Sequence, residues 1–271
     1  MSSVASNYSP VALVLSEVVE PGLVRLTLSR PNAFNALSEA MLTALQTELD
    51  AIAANPAIRV VIIAGAGKAF CAGHDLKEMR AAYQDADSVD YYKTLFAQCS
   101  KMMLTLQKMP QPVIAQVHGI ATAAGCQLVA MGDLAIASAE TRFAVSGINY
   151  GLFCSTPSVG LSRNMPRKQA MEMLLTGDFI DAAQAKQQGL VNQVVSAEQL
   201  PQAALILARK IMAKPEAAVR MGKQLFYSQL EMGIEQAYQM AGQTMACNMM
   251  DADALEGVQA FIEKRKPNYK L

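Results

Sequence analysis

The sequence predicts an α/β fold in which a largely parallel sheet comes first and a layer of helices follows. Apolar, β-branched runs alternate with helical patterns over the first part of the chain, and this alternation is typical of parallel sheets. From Ala203 onward the strand patterns stop, and four helical patterns follow in series. We therefore expect an α/β core over residues 1–202 and a helical region over residues 203–271.

The first unit is a β-ribbon followed by a helix and a third strand. Val11–Val19 and Leu23–Leu28 flank a Pro-Gly turn, which predicts two adjacent strands. Ser38 is a favourable N-cap for the next helix. The apolar residues of that helix recur at helical spacing: Met41, Leu42, Leu45, Leu49 and Ile52. Arg59–Ala64 then predicts a buried strand.

Two turns rich in small residues stand out along the core. Val113–Val117 and Leu134–Ile136 are predicted strands, and Cys126–Met131 between them is predicted to be helical. Ala124, in the turn just before this segment, is the predicted first helical position. A second turn, Lys68–Asp75, follows the predicted strand Arg59–Ala64. Backbone N–H groups at such turns point outward unpaired, so the two turns together could polarise one carbonyl oxygen. Tight packing of strand against helix is the alternative explanation for the small residues.

The helical tail is rich in methionine. Its four predicted helices are Leu205–Met212, Glu216–Leu230, Gly233–Met249 and Asp253–Arg265. Methionine fills irregular apolar gaps, so we expect the tail methionines in the core or in an interface between subunits. They are Met232, Met240, Met245, Met249 and Met250. An apolar layer of this kind predicts a homo-oligomer.

Composition limits the classes of partner. The chain has 23 basic and 23 acidic residues, and nothing in this balance suggests a nucleic-acid or membrane surface. Five cysteines without Cys-x-x-Cys spacing are expected to be reduced thiols, and no metal site is expected. Met1–Pro10 lacks the apolar core of a signal peptide and the arginines of a transit peptide. We therefore expect a cytoplasmic protein whose partners are small molecules or copies of itself.

Three segments of the core form distinct motifs, and three later segments follow them as landmarks. The motifs are Arg30–Leu37, Ala69–Met79 and Pro112–Gly119, and the landmarks are Thr176-Gly177, Ala182–Val191 and Phe261–Pro267. In order and spacing they resemble those of the enoyl-CoA hydratase/isomerase (crotonase) superfamily. The resemblance covers essentially the whole chain. It implies a spiral of ββα units capped by helices that build a trimer or a dimer of trimers. It also implies a coenzyme A thioester, acyl or enoyl, as substrate or ligand, with no permanently bound cofactor.

The resemblance also assigns roles to residues by position. The backbone N–H groups of His74 and Ala124 would form an oxyanion hole for the thioester carbonyl. The coenzyme A contacts would be Asn32, Ala33, Phe34, Lys68, Ala72, Leu76, Lys77, Phe261 and Lys264. For each of the lysines, a solvated surface charge is the alternative interpretation.

The two glutamates that hydratases of the family use are absent from this chain. The matching positions are Gln127 and Gly147. An amide has no useful basicity and glycine has no side chain, so ordinary hydratase chemistry is not expected. His74, Cys154 and Ser155 are the side chains that could take over proton transfer or nucleophilic attack. An external base is another route, as bicarbonate serves in some naphthoate synthases of the superfamily.

Two classes of function therefore stay open. The chain is either an enzyme that stabilises a thioester enolate, or a protein that binds coenzyme A thioesters without turnover as a carrier, sensor or assembly subunit. The segment Gly151–Pro157 resembles one branch of the family. This resemblance indicates one subgroup of the family and does not identify the reaction.

Overall fold

A computed structural model of the chain describes residues 12–83 and 87–269. The strands are β1 (Val14–Glu20), β2 (Leu23–Leu28), β3 (Val60–Gly65), β4 (Val113–Val117), β5 (Ile120–Thr122), β6 (Leu134–Ser138), β7 (Arg142–Ala144), β8 (Ile180–Asp181) and β9 (Gln193–Val195). The helices are α1 (Glu39–Ala53), α2 (Leu76–Ala82), α3 (Ser88–Lys108), α4 (Ala124–Met131), α5 (Ser155–Asn164), α6 (Arg167–Thr176), α7 (Ala182–Gln187), α8 (Leu200–Met212), α9 (Glu216–Gln229), α10 (Ile234–Met249) and α11 (Ala252–Ile262). The expected strand start at Val11 and the expectation about Met1–Pro10 lie outside the described residues.

The strands form two sheets, and the α/β prediction is confirmed. The larger sheet has the order β1-β2-β3-β4-β6-β9. Its first pair is antiparallel and every later pair is parallel. The smaller sheet has the order β5-β7-β8, and single bridges join Leu37 to His74 and Cys71 to Ala121 beside it. The two small-residue turns therefore meet next to the smaller sheet.

The unit β1-β2-α1-β3 follows the sequence prediction closely. The Ser38 hydroxyl accepts the N–H of Met41 at 3.1 Å and caps α1. All five apolar residues predicted for the core face of α1 are buried, and the helix packs against α3. Burial of this stripe, rather than helix propensity alone, stabilises α1.

Helix α8 covers the opposite face of the larger sheet. It contributes Leu200, Ala204 and Ala208 to a second buried cluster, which also contains Leu23, Val60, Ile62, Ile114 and Ile136 from the strands. The small alanine side chains let α8 lie close against the sheet. The division at residues 202 and 203 falls inside α8 and stays a prediction.

A buried ion pair ties α9 to the core. Lys223 Nζ lies 2.7 Å from Asp133 Oδ2, and it also donates to the carbonyls of Leu106 at 2.7 Å and Gln111 at 2.8 Å. The Tyr227 hydroxyl donates to Asp133 Oδ1 at 2.9 Å. All three Lys223 protons thus have acceptors, which is the condition for keeping a charged amine buried.

The last helices leave many large apolar side chains exposed. On α10 and α11 these are Ile234, Tyr238, Met245, Met249, Leu255, Val258, Phe261 and Ile262, and Met250 lies between the two helices. The tail methionines Met232, Met245, Met249 and Met250 are exposed, so they do not belong to the core of this chain. An interface between subunits remains the interpretation for them.

Within 12–83 and 87–269, no helix combines the length and apolarity needed to cross a bilayer.

Candidate functional site

A cavity of about 270 Å³ lies where the two small-residue turns meet. Five of the predicted site residues line it: Ala72, His74, Leu76, Ala124 and Gly147. The rest of the lining comes from Met79, Phe96, Ala123, Ser146, Tyr150 and the segment Leu152–Pro157. The cavity is therefore walled mainly by apolar side chains, as ligand cavities commonly are.

The side chain of Asn35 closes the turn Lys68–Asp75, which follows β3. This buried amide donates from Nδ2 to the carbonyls of Ala66 at 2.9 Å, Ala69 at 2.8 Å and Phe70 at 3.2 Å. Its Oδ1 accepts the N–H of Arg30 at 2.9 Å. One side chain thus satisfies the polar groups of the loop that carries the chain from β3 to His74.

The peptide of His74 is held on both sides by the backbone of Leu37. The Leu37 N–H donates to the Gly73 carbonyl at 2.7 Å, and the Asp75 N–H donates to the Leu37 carbonyl at 3.3 Å. Asp75 also caps α2 by accepting the Lys77 N–H at 2.9 Å, and its other oxygen pairs with Arg30 at 2.6 Å. His74 lines the cavity, and in the part of the chain that the structure describes its clamped N–H has no acceptor.

The turn before α4 contains a residue with positive φ immediately before the helix. Ala123 has φ 50° and ψ −122°, a region that costs a residue with a side chain about 1–3 kcal/mol. Its N–H donates to the Ala144 carbonyl at 3.0 Å. Gly125 is required next to it, because a Cβ there would lie 2.1 Å from the Cys71 carbonyl oxygen. The strained turn makes Ala124 the first helical residue, as predicted.

The two turns are in direct contact. Gly73 has φ +88°, and a Cβ on it would lie 2.8 Å from the Ala123 Cβ and 3.2 Å from the Ala124 nitrogen. Among the described residues, neither the His74 N–H nor the Ala124 N–H has a hydrogen-bond acceptor. The geometry therefore presents two free backbone donors, from neighbouring segments, at one cavity. Such a pair can hold a single carbonyl oxygen as negative charge develops on it.

Neither position of the absent glutamates can transfer a proton. A Cβ at Gly147 would lie 2.5 Å from the Leu152 carbonyl oxygen and 2.8 Å from Cys154 Sγ, so this backbone leaves no room for a side chain. Gln127 is 4% exposed, its Oε1 has no partner, and it does not line the cavity. The expectation of an atypical site thus has a steric basis at Gly147.

The other candidate acid and base groups are neutral at neutral pH. Burial lowers the pKa of His74 to about 4, its Nε2 has no partner, and its ring packs edge-on against Phe96 at 5.4 Å. Burial raises the pKa of the Cys154 thiol. The Ser155 hydroxyl donates to the Phe153 carbonyl at 3.3 Å. No side chain pair of nucleophile and base is visible among these groups.

The predicted coenzyme A contacts fall into two groups. Ala72 and Leu76 line the cavity, and the Ala72 N–H donates to the Phe34 carbonyl at 3.0 Å, so the Phe34 loop borders that edge. Asn32, Lys68 and Lys77 are exposed and Ala33 is partly buried. Phe261 and Lys264 are exposed at the end of α11 and do not line the cavity. Within one chain, these last two are not brought to the site.

The sequence reasoning missed several lining residues. Phe96 and Met79 lie on α3 and α2, whose bounds were not predicted, and Tyr150 lies in a short 3-10 turn. The spacing of Leu95, Cys99, Met102 and Leu106 would have identified α3 as an amphipathic helix. Among the described residues no group of three or more His, Cys, Asp or Glu side chains could hold a metal ion.

Comparison with known sequences identifies relatives over most of the chain. The chain is 44% identical over 248 residues to enoyl-CoA hydratase domain-containing protein 3, mitochondrial, of Mus musculus, covering 92% of this chain and 81% of the relative. The relative of the same name from Danio rerio is also 44% identical, with 94% and 87% covered. The branch indicated by Gly151–Pro157 is thereby confirmed. An enoyl-CoA hydratase, mitochondrial, from Pongo abelii is 34% identical, with 92% and 83% covered.

The prediction of a cytoplasmic protein is wrong. It is contradicted by the vertebrate relatives, which are named as mitochondrial proteins. Its physical basis was too weak, because reduced cysteines argue against an oxidising compartment and do not identify one reducing compartment among several.

Similar solved structures and the sequence pattern of one family lead to the same assignment as these relatives. An enoyl-CoA hydratase structure from Mycobacterium smegmatis has a TM-score of 0.92 at 59% identity, covering 96% of this chain and 99% of that one. Human enoyl-CoA hydratase domain-containing protein 3 has a TM-score of 0.89 at 42% identity, covering 95% and 100%. The sequence pattern of the enoyl-CoA hydratase/isomerase family matches residues 19–271. With the crotonase-like fold and the paired donors at its cavity, the chain belongs to the enoyl-CoA hydratase/isomerase family.

Proposed function

We propose that the protein binds an acyl or enoyl coenzyme A thioester and stabilises its enolate with the N–H groups of His74 and Ala124. One observation carries the proposal: these two donors have no acceptor in the described chain and open onto the same cavity. The thioester carbonyl is the acceptor that would satisfy both. Each donor in such a hole is typically worth about 3 kcal/mol of activation free energy.

The reaction proposed for this site does not depend on two carboxylates. Gln127 cannot accept a proton, and the Leu152 carbonyl oxygen and Cys154 Sγ lie where a side chain at Gly147 would begin. General acid–base groups commonly contribute about 10²- to 10⁴-fold to a rate. We therefore expect hydration of crotonyl-CoA to be slower than in a two-glutamate hydratase by at least the lower of these factors. The remaining enolate chemistry is loss of the α-proton to an external base, such as bicarbonate, and its return from the conjugate acid of that base.

A second candidate function is binding without turnover. It is favoured by the state of the polar groups in the cavity, because burial lowers the pKa of His74 to about 4 and raises that of the Cys154 thiol. A cavity without a charged base can hold a thioester and leave it unchanged. A carrier or sensor of coenzyme A thioesters would need no more than this.

One experiment separates the two functions. The purified protein is incubated in D₂O with butyryl-CoA and with crotonyl-CoA, and products are followed by mass spectrometry while calorimetry measures binding. Deuterium at the α-carbon of butyryl-CoA supports the enolate-stabilising enzyme, whereas binding without exchange or hydration supports the carrier. Absence of binding to either thioester would contradict both proposals. Hydration as fast as in a two-glutamate hydratase would contradict the proposed role of Gln127 and Gly147.

A further inference from the structure

The charge of the cavity lining determines which acyl groups the site can accept. Among the described residues, the lining contains no lysine, arginine, aspartate or glutamate. The basic residues on α2, Lys77 and Arg80, border a neighbouring surface cavity that adjoins the main one at Leu76 and do not line the main cavity itself. A negatively charged group inside the main cavity would therefore find no cation to pair with.

His74 does not supply the missing positive charge. It is the one imidazole in the lining, and burial lowers its pKa to about 4. At neutral pH the ring is uncharged, and protonating it costs free energy because Nε2 has no acceptor to stabilise the cation. The lining is thus electrically neutral under the conditions in which the protein would meet its ligand.

The N-terminus of α5 also faces the cavity, and a helix N-terminus attracts anions. Its donors are nearly used up, however. The Ser155 N–H donates to the Phe153 carbonyl at 2.8 Å, and Pro157 has no N–H. Among the described residues, Thr156 keeps the one free N–H of that first turn. The hydroxyl donors in the lining are those of Ser146, Tyr150, Ser155 and Thr156, and the first and third of them already form hydrogen bonds, with Thr122 and with the Phe153 carbonyl. Neutral donors without a cation compensate a buried carboxylate only in part.

We infer that the acyl group accepted by this cavity is apolar and uncharged, and that acyl thioesters ending in a carboxylate are excluded. The inference rests on the proposed function, because it requires the thioester carbonyl to lie at His74 and Ala124. It separates this chain from a relative in the same family, the 2,3-dehydroadipyl-CoA hydratase of Escherichia coli, which is 34% identical. That relative is named for an acyl group with a carboxyl end.

Leu152 is the residue through which this selectivity can be changed. It lines the cavity and is 47% exposed, so a longer side chain can keep its charged end near solvent. Its contacts with Gly147 are made by its backbone N–H and carbonyl oxygen, and substitution leaves those atoms in place. Leu152→Arg would put a guanidinium at the cavity wall, where it can bind a carboxylate through two hydrogen bonds.

The test compares two ligands of equal carbon number, hexanoyl-CoA and adipyl-CoA, with coenzyme A itself as the reference. Dissociation constants are measured by calorimetry for the wild type, for Leu152→Arg and for Val18→Arg. The last variant adds the same charge on β1, at a position 72% exposed and outside the cavity lining. It therefore controls for the change in net charge.

We expect the wild type to bind adipyl-CoA about 100-fold more weakly than hexanoyl-CoA, because a carboxylate would lose water without gaining a cation as partner. Leu152→Arg should reduce this preference by about tenfold or more, whereas Val18→Arg should leave it unchanged. Equal binding of the two thioesters by the wild type would overturn the inference and leave the proposed function standing. If hexanoyl-CoA binds no better than coenzyme A, the proposed function fails as well, and the inference fails with it.

Discussion

Gly147 shows how a single residue limits the chemistry of the site. The chain around it brings the Leu152 carbonyl oxygen within 2.5 Å, and Cys154 Sγ within 2.8 Å, of where a Cβ would lie. The glutamate that the family resemblance predicts at this position is therefore not replaced by an empty space. Leu152 and Cys154 fill that space, and the polypeptide after Gly147 follows a path that a side chain would block.

This packing predicts that even a methyl group at residue 147 is costly. Gly147→Ala should lower the free energy of unfolding by about 1–3 kcal/mol, because backbone oxygen and sulfur must move to make room. The matched control is Gly222→Ala in α9, where a Cβ would meet nothing within 4 Å. There alanine should stabilise the helix by up to about 1 kcal/mol. Urea denaturation checks both variants, and equal effects of the two would contradict the steric account.

His74 predicts how stability depends on pH. Its pKa is about 4 in the folded protein, against about 6.5 in an unfolded chain. The unfolded state therefore binds the proton more tightly, so the free energy of unfolding falls as the pH drops from about 6.5 to about 4. The contribution of this one group is up to about 3 kcal/mol, present in full above pH 6.5.

His74→Phe isolates that contribution because phenylalanine does not titrate and can pack against Phe96. The loss of stability between pH 6.5 and pH 4 should be smaller in the variant than in the wild type by up to about 3 kcal/mol. Chemical denaturation at several pH values measures the difference. Parallel pH profiles would contradict a buried, neutral imidazole at this position.

At the level of elements, α9 depends on one buried ion pair for its attachment to the core. Lys223→Met removes the cation that pairs with Asp133 and donates to the Leu106 and Gln111 carbonyls. Asp133 then keeps its hydrogen bonds from Tyr227 and Val113 but is a buried charge without a counter-ion. Breaking a buried pair in this way costs about 3–5 kcal/mol. Lys210→Met on α8 is the control, because Lys210 is exposed. Thermal unfolding should separate the two variants clearly, and a similar small effect for both would contradict this role of Lys223.

The elements predicted best are those whose pattern and burial agree locally. Val113–Val117 was predicted with its observed bounds, and the α1 stripe is buried in full. The strands β5, β7, β8 and β9 were missed because each has at most three residues and is held by distant partners, such as Phe143 opposite Ile180. Pairing of this kind overrides local preference and leaves little trace in the sequence.

The site shows the same division between local and distant signals. The small residues around Ala124 and His74 identified the two turns, because a tight approach of backbones requires small side chains. The close approach of Leu152 to Gly147 and the uncharged lining of the cavity depend on which segments fold against one another. Phe261 and Lys264 do not line the cavity of their own chain, so their assignment as coenzyme A contacts stays a prediction.

At the scale of the whole molecule, the exposed apolar faces of α10 and α11 predict self-association. Tyr238 and Phe261 are 74% and 86% exposed in the single chain, together with several methionines, and monomers rarely leave so large a patch in water. We expect trimers or hexamers at micromolar concentration by light scattering. Tyr238→Glu should shift the distribution toward smaller species, and a stable monomer of the unaltered chain would contradict the prediction.

The central claim is that the Ala124 and His74 N–H groups hold one thioester oxygen. Proline is a poor way to remove the Ala124 donor, because the residue before a proline is restricted and Ala123 already has φ 50°. Replacing the Ala124 amide N–H by an ester oxygen deletes the donor with little change in shape. Ala123→Gly is the control, since it relieves the strained residue and keeps the donor.

The most direct measurement is the infrared carbonyl stretch of bound butyryl-CoA labelled with ¹³C at the thioester carbon. Two hydrogen bonds to the carbonyl should lower its frequency relative to the free thioester in water, in the wild type and in Ala123→Gly. The Ala124 ester variant should still bind the ligand and should lose a large part of that shift. An unshifted carbonyl in the wild type, or the same shift with and without the Ala124 N–H, would contradict the account.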